Sequence, residues 1–257
     1  MVSTLPGPAR LRPTRPARIK VNRCNAALIV ACTFRPLKPS WRMEASIAAQ
    51  RIGIAAVIPT REPTMSAITD EFFVDVEGWL PAVRQLRSPH VDARPIGTMI
   101  DLVVIHHISL PPGEFGGDSV ERLFMGTLDA TAHPAFEPLA GVRVSAHFLI
   151  RRDGSVTQFA ACGARAWHAG ESQFLERERC NDFSIGIELE GTGDIPYGDD
   201  QYGALVRLIH SLQRAYPLVW IAGHSDVSPG RKTDPGASFD WNRLQAGLGS
   251  GRLVRPF

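Results

Sequence analysis

The pattern of apolar and polar positions along the chain predicts several β-strands. Residues 102–105 form a continuous, largely β-branched apolar run, which is typical of a strand covered on both faces. An Asp-Gly pair at 153–154 predicts a hairpin turn between two further strands. In chain order, the predicted strands span residues 97–105, 142–151, 155–160, 184–190 and 219–222.

Apolar residues at helical spacing predict three helices. The first begins with a capping-box pattern, Asp118 followed by Glu121, and its apolar face consists of Val120, Leu123, Phe124 and Leu128. The second starts near residue 199 and ends before Pro217, and the third covers residues 240–248. Strands and helices mixed around a hairpin predict an α/β fold with a mixed β-sheet flanked by helices. The long loops 109–117 and 161–182 are expected to line a substrate groove.

The balance of basic and acidic residues differs between two parts of the chain. Residues 1–60 contain ten basic residues and one acidic residue, whereas residues 61–257 contain 18 basic and 25 acidic residues. The first part is also rich in proline, which interrupts both helices and strands. We therefore predict a basic Pro/Arg-rich extension over residues 1–64, either disordered or preceding a true start at Met65. A folded domain then covers residues 65–257, with a core at about 72–247. A basic tail that binds nucleic acid is the alternative for the extension.

The cysteines and the lengths of the apolar runs indicate in which cellular compartment the protein is expected. Cys24, Cys32, Cys162 and Cys180 form no CxxC pair, which favours free thiols in a reducing compartment, with a Cys162–Cys180 disulfide as the alternative. No apolar run has the roughly 18–20 residues of a membrane helix, and the apolar stretch before Cys32 is short for a signal peptide. We expect a cytoplasmic protein, monomeric, without a nucleic-acid or membrane partner.

Two histidines and an aspartate are candidate metal ligands. His106 follows the first apolar run, His224 follows the last one, and Asp234 lies in a proline-stiffened loop ten residues later. A catalytic zinc site needs three protein ligands of this kind and one open position. Spacing alone leaves His106 and His107 as rival ligands, because neighbours on a strand face opposite sides. It also leaves a structural role for each histidine as an alternative, and we expect His147 to be either a core residue or one that supports the metal ligands from behind.

Two further residues suit catalysis beside a metal. Lys232 is the single lysine among 17 arginines from residue 61 onward, which suggests a position where a compact cation is needed, such as an oxyanion site. Glu188 and Glu190 share one face of the strand at 184–190, and one of the two carboxylates is a candidate for proton transfer. A solvated loop lysine and a solvent-facing pair of glutamates are the alternatives.

Five segments carry a resemblance to a known family. They are HHISLPPGEFGG (106–117), RVSAHFLIRRDG (143–154), RAWHAG (165–170), RERCNDFSIGIELEGT (177–192) and GHSDVSPGRKTDPG (223–236). Together they closely resemble the AmpD family of 1,6-anhydro-N-acetylmuramoyl-L-alanine amidases, within the amidase_2 and peptidoglycan-recognition superfamily. The resemblance covers about residues 72–247. It implies a single zinc site in a groove at the edge of a mixed β-sheet.

The resemblance also implies roles for individual residues. It implies zinc ligation by His106, His224 and Asp234, proton handling by Glu188, and oxyanion stabilisation by Lys232. The residues expected to contact substrate are His107, Arg143, Trp167, His168, Arg179 and Arg231. One departure is that His107 stands where the family motif is expected to have asparagine, which puts the substrate preference in doubt more than the chemistry.

The implied reaction is hydrolysis of the amide between the lactyl group of (1,6-anhydro)-N-acetylmuramic acid and L-alanine. The expected substrate is a soluble muropeptide recovered during cell-wall recycling, and the expected cofactor is Zn²⁺. Two alternatives remain at this point: an exported amidase that acts on intact wall, and a muropeptide-binding module without catalytic activity.

Overall fold

A six-stranded mixed sheet forms the centre of the fold. The structure is a computed structural model that describes residues 72–257, so the predictions for residues 1–64, Cys24 and Cys32 lie outside the described residues. From one edge to the other, the strands are β1 (Arg84–Gln85), β5 (Val156–Gln158), β4 (Phe148–Ile150), β9 (Ser184–Glu190), β3 (Leu102–Ile108) and β10 (Trp220–Gly223). All neighbours in this order are parallel except β4 and β5, which form the predicted hairpin.

In the part of the chain that the structure describes, two small antiparallel strand pairs lie outside the central sheet. β2 (Val91–Ala93) pairs with β6 (Ala164–Ala166), and β7 (Gln173–Phe174) pairs with β8 (Arg177–Glu178). None of these short strands has an apolar run long enough to be recognised from the sequence. Three of them, β6, β7 and β8, lie within the long segment 161–182 and give it a defined course beside the sheet.

Within residues 72–257, four α-helices accompany the sheet: α1 (Ser119–Met125), α2 (Asp199–Ala215), α3 (His224–Val227) and α4 (Trp241–Leu248). The two faces of β3 and β9 are covered differently. Val103 and Ile105 belong to a core cluster with α2 and α4 residues, whereas Leu102 and Val104 pack against loop residues such as Ala169 and Phe183. The face away from α2 is therefore covered by loops, which is where polar side chains on the sheet can meet loop residues.

The register of β3 and β9 decides which side chains are neighbours. His106 pairs with Glu188, so the alternation of both strands places these two side chains on the loop-covered face. The next pair along the strands, His107 and Leu189, points to the opposite face.

Several predicted boundaries need correction. The strand predicted at 97–105 runs from Leu102 to Ile108, because its pairing with β9 continues to the last residue of both strands. The strand predicted at 142–151 is confined to Phe148–Ile150. The amide of Ser145 instead bonds to the carbonyl of Trp167, in a loop rather than in a partner strand. The strand predicted at 155–160 is likewise shortened to Val156–Gln158.

The first helix also differs from its predicted cap. Asp118 occupies the N-cap position without a side-chain cap bond, since its carboxylate accepts from Arg122 Nε at 2.7 Å. Glu121 turns inward toward Arg84 and Arg151 instead of closing a capping box. The helix ends at Gly126, whose φ of 69° is readily adopted by glycine, so Leu128 lies beyond it.

The predictions for the second and third helices and for Cys162 and Cys180 are confirmed. α2 ends before Pro217, and Asp240 is the N-cap of α4, where its side chain accepts from the Arg243 amide. Cys162 and Cys180 are buried free thiols, so the alternative disulfide is not formed. Within residues 72–257, no helix has the length and apolar character needed to cross a membrane.

Candidate active site

Three buried side chains converge at the carboxyl edge of the sheet. His106 Nδ1, His224 Nδ1 and Asp234 Oδ2 form a triangle in which each edge measures 3.0 Å. All three residues are buried. They are also the group in residues 72–257 whose donor atoms lie close enough together to hold a metal ion. His106 and Asp234 are 128 positions apart in the sequence, and the fold brings them into contact.

Each member of the triangle is placed by a different element. His106 lies on β3, two residues before the strand ends. Gly223 at the end of β10 pairs with Ile105, so His224, the next residue, starts α3 at the level of His106. Asp234 comes from the following loop, which is held by a 2.8 Å bond from the Ser225 amide to the Asp234 carbonyl.

The surroundings of the two imidazoles indicate which ring nitrogen is available to a metal ion. Burial lowers the pKa of His106 from 6.5 to about 4. His224 Nε2 lies 3.0 Å from the carbonyl of Ala169; since a carbonyl only accepts, this nitrogen carries the hydrogen and Nδ1 offers its lone pair to the cluster. A neutral imidazole with a free nitrogen is the form that binds metal ions.

His168 lies against the triangle and was predicted to contact substrate. Its Nδ1 is 2.9 Å from His106 Nε2, and its Nε2 is 3.2 Å from Ser184 Oγ. Burial, followed by the charges of neighbouring rings, lowers its pKa well below the ordinary value. Both ring nitrogens thus already have partners within the described residues.

Glu188 faces the cluster from the neighbouring strand. It is buried, and among residues 72–257 its Oε2 has no hydrogen-bond partner. Burial raises the pKa of this carboxyl well above its ordinary value, the negative charge of Asp234 raises it further, and Lys232 opposes the shift. Such a carboxyl holds a proton more tightly than one in water, which is the property needed for proton transfer near neutral pH.

Glu190, the other candidate carboxylate, is fully engaged in structure. Its Oε1 accepts from the Gly116 amide at 2.7 Å and from Arg151 Nη1 at 3.1 Å, and its Oε2 accepts from the Arg152 amide. These bonds tie the loop after β3 and the β4–β5 hairpin to the end of β9. Of the two carboxylates on this face, Glu188 is therefore the one available for chemistry.

Lys232 and His107 lie near the triangle but outside it. The exposed Lys232 is close enough for its charge to act on both His106 and Glu188. His107 is half-buried on the other side of β3, where its Nδ1 lies 3.2 Å from the carbonyl of Pro235, next to Asp234. Its role in substrate contact stays a prediction.

The remaining predicted substrate residues form two groups on the surface. Arg143 and Trp167 line a cavity of about 380 Å³ together with β2, and the Arg165 guanidinium lies 4.4 Å from the centre of the Trp167 ring. Arg179 and Arg231 line a second cavity of about 460 Å³. Arg231 also donates to the carbonyls of Ala169 and Glu171, so part of its guanidinium is committed to holding that loop. Their contacts with substrate stay predictions.

Three residues near the triangle were not identified from the sequence. Asn181 Oδ1 accepts from the amides of both His168 and Ala169, at 3.0 and 2.8 Å. Ser184 contacts His168, and Gly186 leaves space for the same ring, since a Cβ there would lie 2.4 Å from His168 Cγ. Only the alternation of β9, which puts Ser184 and Gly186 on the face of Glu188, hinted at these roles.

Comparison with known proteins agrees with this geometry. The model of the family described as N-acetylmuramoyl-L-alanine amidase, Amidase_2, matches residues 96–237, which include the whole triangle. The chain belongs to this amidase family.

Among curated relatives, the amidase is 54% identical over 172 residues to the 1,6-anhydro-N-acetylmuramyl-L-alanine amidase AmpD of Citrobacter freundii, covering 66% of this chain and 92% of the relative. It is 53% identical over 171 residues to the AmpD of Escherichia coli K12, covering 66% and 93%.

Solved structures give the same assignment. A crystal structure of a selenomethionine AmpD derivative matches the amidase with a TM-score of 0.65 and 52% identity, covering 68% of this chain and 99% of that one. The solution structure of Citrobacter freundii AmpD matches with a TM-score of 0.51 and 53% identity, covering 67% and 93%.

Proposed function

We propose that the amidase is a zinc enzyme that hydrolyses the amide between the lactyl group of 1,6-anhydro-N-acetylmuramic acid and L-alanine in muropeptides. The observation that carries the proposal is the triangle of His106, His224 and Asp234 with Glu188 beside it, whose buried Oε2 has no hydrogen-bond partner within residues 72–257. The substrate follows from the curated relatives, which are named for this reaction and share about half of their residues with the chain.

The donor set fits a zinc ion. Two imidazole nitrogens and one carboxylate oxygen are common zinc ligands, and three protein ligands leave a position open for water or substrate. Ligands at zinc distances in a tetrahedron lie about 3.3 Å apart, close to the 3.0 Å edges of the triangle. When bound, zinc polarises a carbonyl group and lowers the pKa of water to about 7.

Glu188 performs the proton transfers in this proposal. Its carboxylate takes a proton from the attacking water and then delivers it to the amine of the leaving L-alanine. Burial supports this role because it brings the proton affinity of the carboxyl toward the working pH. The pairing with His106 supports it as well, since both side chains belong to one rigid ladder.

Lys232 stabilises the negative charge that develops on the carbonyl oxygen. Its charge already acts on His106 and Glu188, so it lies within electrostatic range of the reacting group. Substrate that covers the groove would remove water from around the lysine and strengthen this interaction.

The groove residues bind the rest of the muropeptide. Arg143, Arg179 and Arg231 present guanidinium groups suited to the carboxylates of a stem peptide, and Trp167 offers an aromatic surface. Because the substrate is a soluble recycled fragment, we place the enzyme in the cytoplasm, where the free thiols of Cys162 and Cys180 are also expected. We expect it to act there as a monomer.

The test uses the full chain and two substrates, anhydromuramoyl-tripeptide and intact sacculi, with and without a chelator. We expect turnover of the tripeptide, its loss on chelation, and its recovery with zinc. Glu188→Gln is expected to keep bound zinc and lose about 10²–10⁴-fold in kcat. Glu190→Gln is the matched control because that carboxylate contacts structural partners.

Three outcomes would contradict the proposal. Full turnover in chelator-treated Asp234→Ala protein would exclude a metal held by this triangle. Faster cleavage of sacculi than of the tripeptide would favour an enzyme of intact wall. Binding of the tripeptide without turnover would indicate a muropeptide-binding module.

A further inference from the structure

A chain of hydrogen bonds leads from the candidate metal centre into the protein. It begins at His106 Nε2, which lies 2.9 Å from His168 Nδ1. The opposite nitrogen of His168, Nε2, lies 3.2 Å from Ser184 Oγ, and Ser184 Oγ lies 2.5 Å from the carbonyl oxygen of Cys180. The chain therefore ends on a main-chain acceptor inside the fold.

The last bond determines the direction of all the others. A carbonyl oxygen can only accept, so the single hydroxyl hydrogen of Ser184 points to Cys180. Toward His168, Ser184 Oγ can then only accept, which requires the hydrogen of His168 to be on Nε2. His168 Nδ1 is left with a lone pair and accepts a hydrogen from His106 Nε2. His106 Nδ1 is consequently free of hydrogen, and it is the atom that faces His224 and Asp234.

We propose that His168 and Ser184 are positioning residues that hold His106 as its Nε2–H tautomer and so present Nδ1 to the metal. This inference rests on the proposed zinc function, and it gives His168 a role other than the expected contact with substrate. Outer residues of this kind fix both the tautomer and the orientation of a ligand ring.

The surroundings of His168 hold its ring and main chain in place. Asn181 fixes the main chain by accepting from the amides of His168 and Ala169. Gly186 makes room for the ring, because any Cβ at this position would overlap it. His147 lies on the other side, with its ring centre 5.7 Å from that of His168.

His224, the second histidine of the triangle, is held as the same Nε2–H tautomer by a single hydrogen bond. His224 Nε2 donates directly to the carbonyl of Ala169, with no side chain between them. Asn181 supports both routes, since the main chain it holds carries the His168 ring on one residue and the Ala169 carbonyl on the next. Both imidazoles thus direct Nδ1 to the metal, and of the two routes only that from His106 passes through other side chains.

The first arm of the test reads the tautomers without using activity. Long-range ¹H–¹⁵N spectra of the full chain, labelled at histidine, are recorded at pH 8 with and without zinc. We expect His106 and His168 both to carry hydrogen on Nε2 in each state. Hydrogen on Nδ1 of either ring in the metal-free protein would overturn the inference, whether or not the protein binds zinc.

The second arm measures the zinc Kd by competition with a chromophoric chelator. His168→Leu removes the acceptor for the His106 N–H and is expected to weaken zinc binding about 10–100-fold. His168→Gln restores an acceptor oxygen and is expected to bind zinc nearly as tightly as the parent protein. Ser184→Ala removes the acceptor for the His168 N–H. It is expected to weaken zinc binding about 10-fold, which is the lower end of the range for His168→Leu.

His210→Leu is the matched control, because His210 Nε2 also contacts a carbonyl, that of Leu248, but far from the site. Circular dichroism of the metal-free variants verifies that they fold. If His168→Leu does not fold, the zinc Kd of Ser184→Ala tests the inference in its place. An unchanged Kd in His168→Leu with a raised KM would make His168 a substrate contact and overturn the inference. Failure of the parent protein to bind zinc would instead refute the proposed function, while the tautomer spectra still decide the hydrogen-bond chain.

Discussion

Acid should destabilise the metal-free amidase through His147, a buried histidine beneath the site. Its Nδ1 accepts from the Gly186 amide at 3.0 Å, and its Nε2 lies 3.1 Å from the carbonyl of Ala164 and 3.0 Å from a guanidinium nitrogen of Arg94. Burial, together with the charge of Arg94, lowers the pKa of this ring from 6.5 to about 3. The folded protein therefore keeps His147 neutral where the unfolded chain protonates it.

The sign and size of the effect follow from proton linkage. Above pH 6.5 the ring is neutral in both states and contributes no pH dependence. Below it, the unfolded state binds one proton more, so the free energy of unfolding falls as the pH falls, by about 1.36 kcal/mol per pH unit. Between pH 6 and pH 4 the loss from His147 is about 2.5 kcal/mol, a large share of the ~5–15 kcal/mol that stabilises a domain.

The assay compares urea unfolding of the parent protein and His147→Gln, in EDTA, at several pH values between 4 and 7. Glutamine does not titrate in this pH range. The free energy of unfolding of the variant should therefore fall less between pH 6 and pH 4 than that of the parent protein, by the loss calculated above for His147. Phe148→Leu is the control. It removes packing from the adjacent buried position and should lower the unfolding free energy by about 1–3 kcal/mol equally at every pH.

Parallel curves for the parent protein and His147→Gln would refute the reasoning. They would mean that His147 titrates alike in the folded and unfolded states, and that burial beside Arg94 does not keep the ring neutral.

Two further results are expected. Glu190→Gln should lower the free energy of unfolding by about 1–3 kcal/mol, because it weakens the hydrogen bonds to Gly116 and Arg151. Its zinc content should change little, and loss of zinc would instead place Glu190 at the metal. Zinc in 100-fold excess over its Kd should raise the free energy of unfolding by about 2.7 kcal/mol relative to EDTA, measured by urea titration, and Asp234→Ala should lose this gain.

The sequence predicted the bounds of β9 and α2 closely, and the presence of β3, because these elements are long and have a clear apolar pattern. β3, β9 and α2 carry patterns of buried residues that leave few alternatives. The two-residue strands were missed because their pairing is decided by contacts with distant segments. The same reason explains the shortened β4, whose predicted first residues bond to the loop at Trp167.

The site shows a similar division. Residue type and position indicated His224 and Asp234 and left His106 and His107 as rivals. The choice of His106, which the resemblance implied, agrees with the strand register, which faces His106 toward Glu188. The strand pattern did not separate Glu188 from Glu190, and only the resemblance favoured Glu188, since the partner that occupies Glu190 is Arg151, 39 residues away. Nor did it indicate that both nitrogens of His168 have partners, because that depends on Ser184 and on the space above Gly186.

The pairing of His106 with Glu188 has a consequence for related chains that have lost activity. A one-residue insertion or deletion in the first half of β9 would leave every ligand and the glutamate itself in the sequence. It would nevertheless turn the carboxyl to the face that packs on α2, because successive side chains of a strand alternate. With the role proposed for Glu188, an inactive member of the family could therefore keep a complete motif, and counting the spacing from Phe183 to Glu188 would detect it where a search for missing ligands would not.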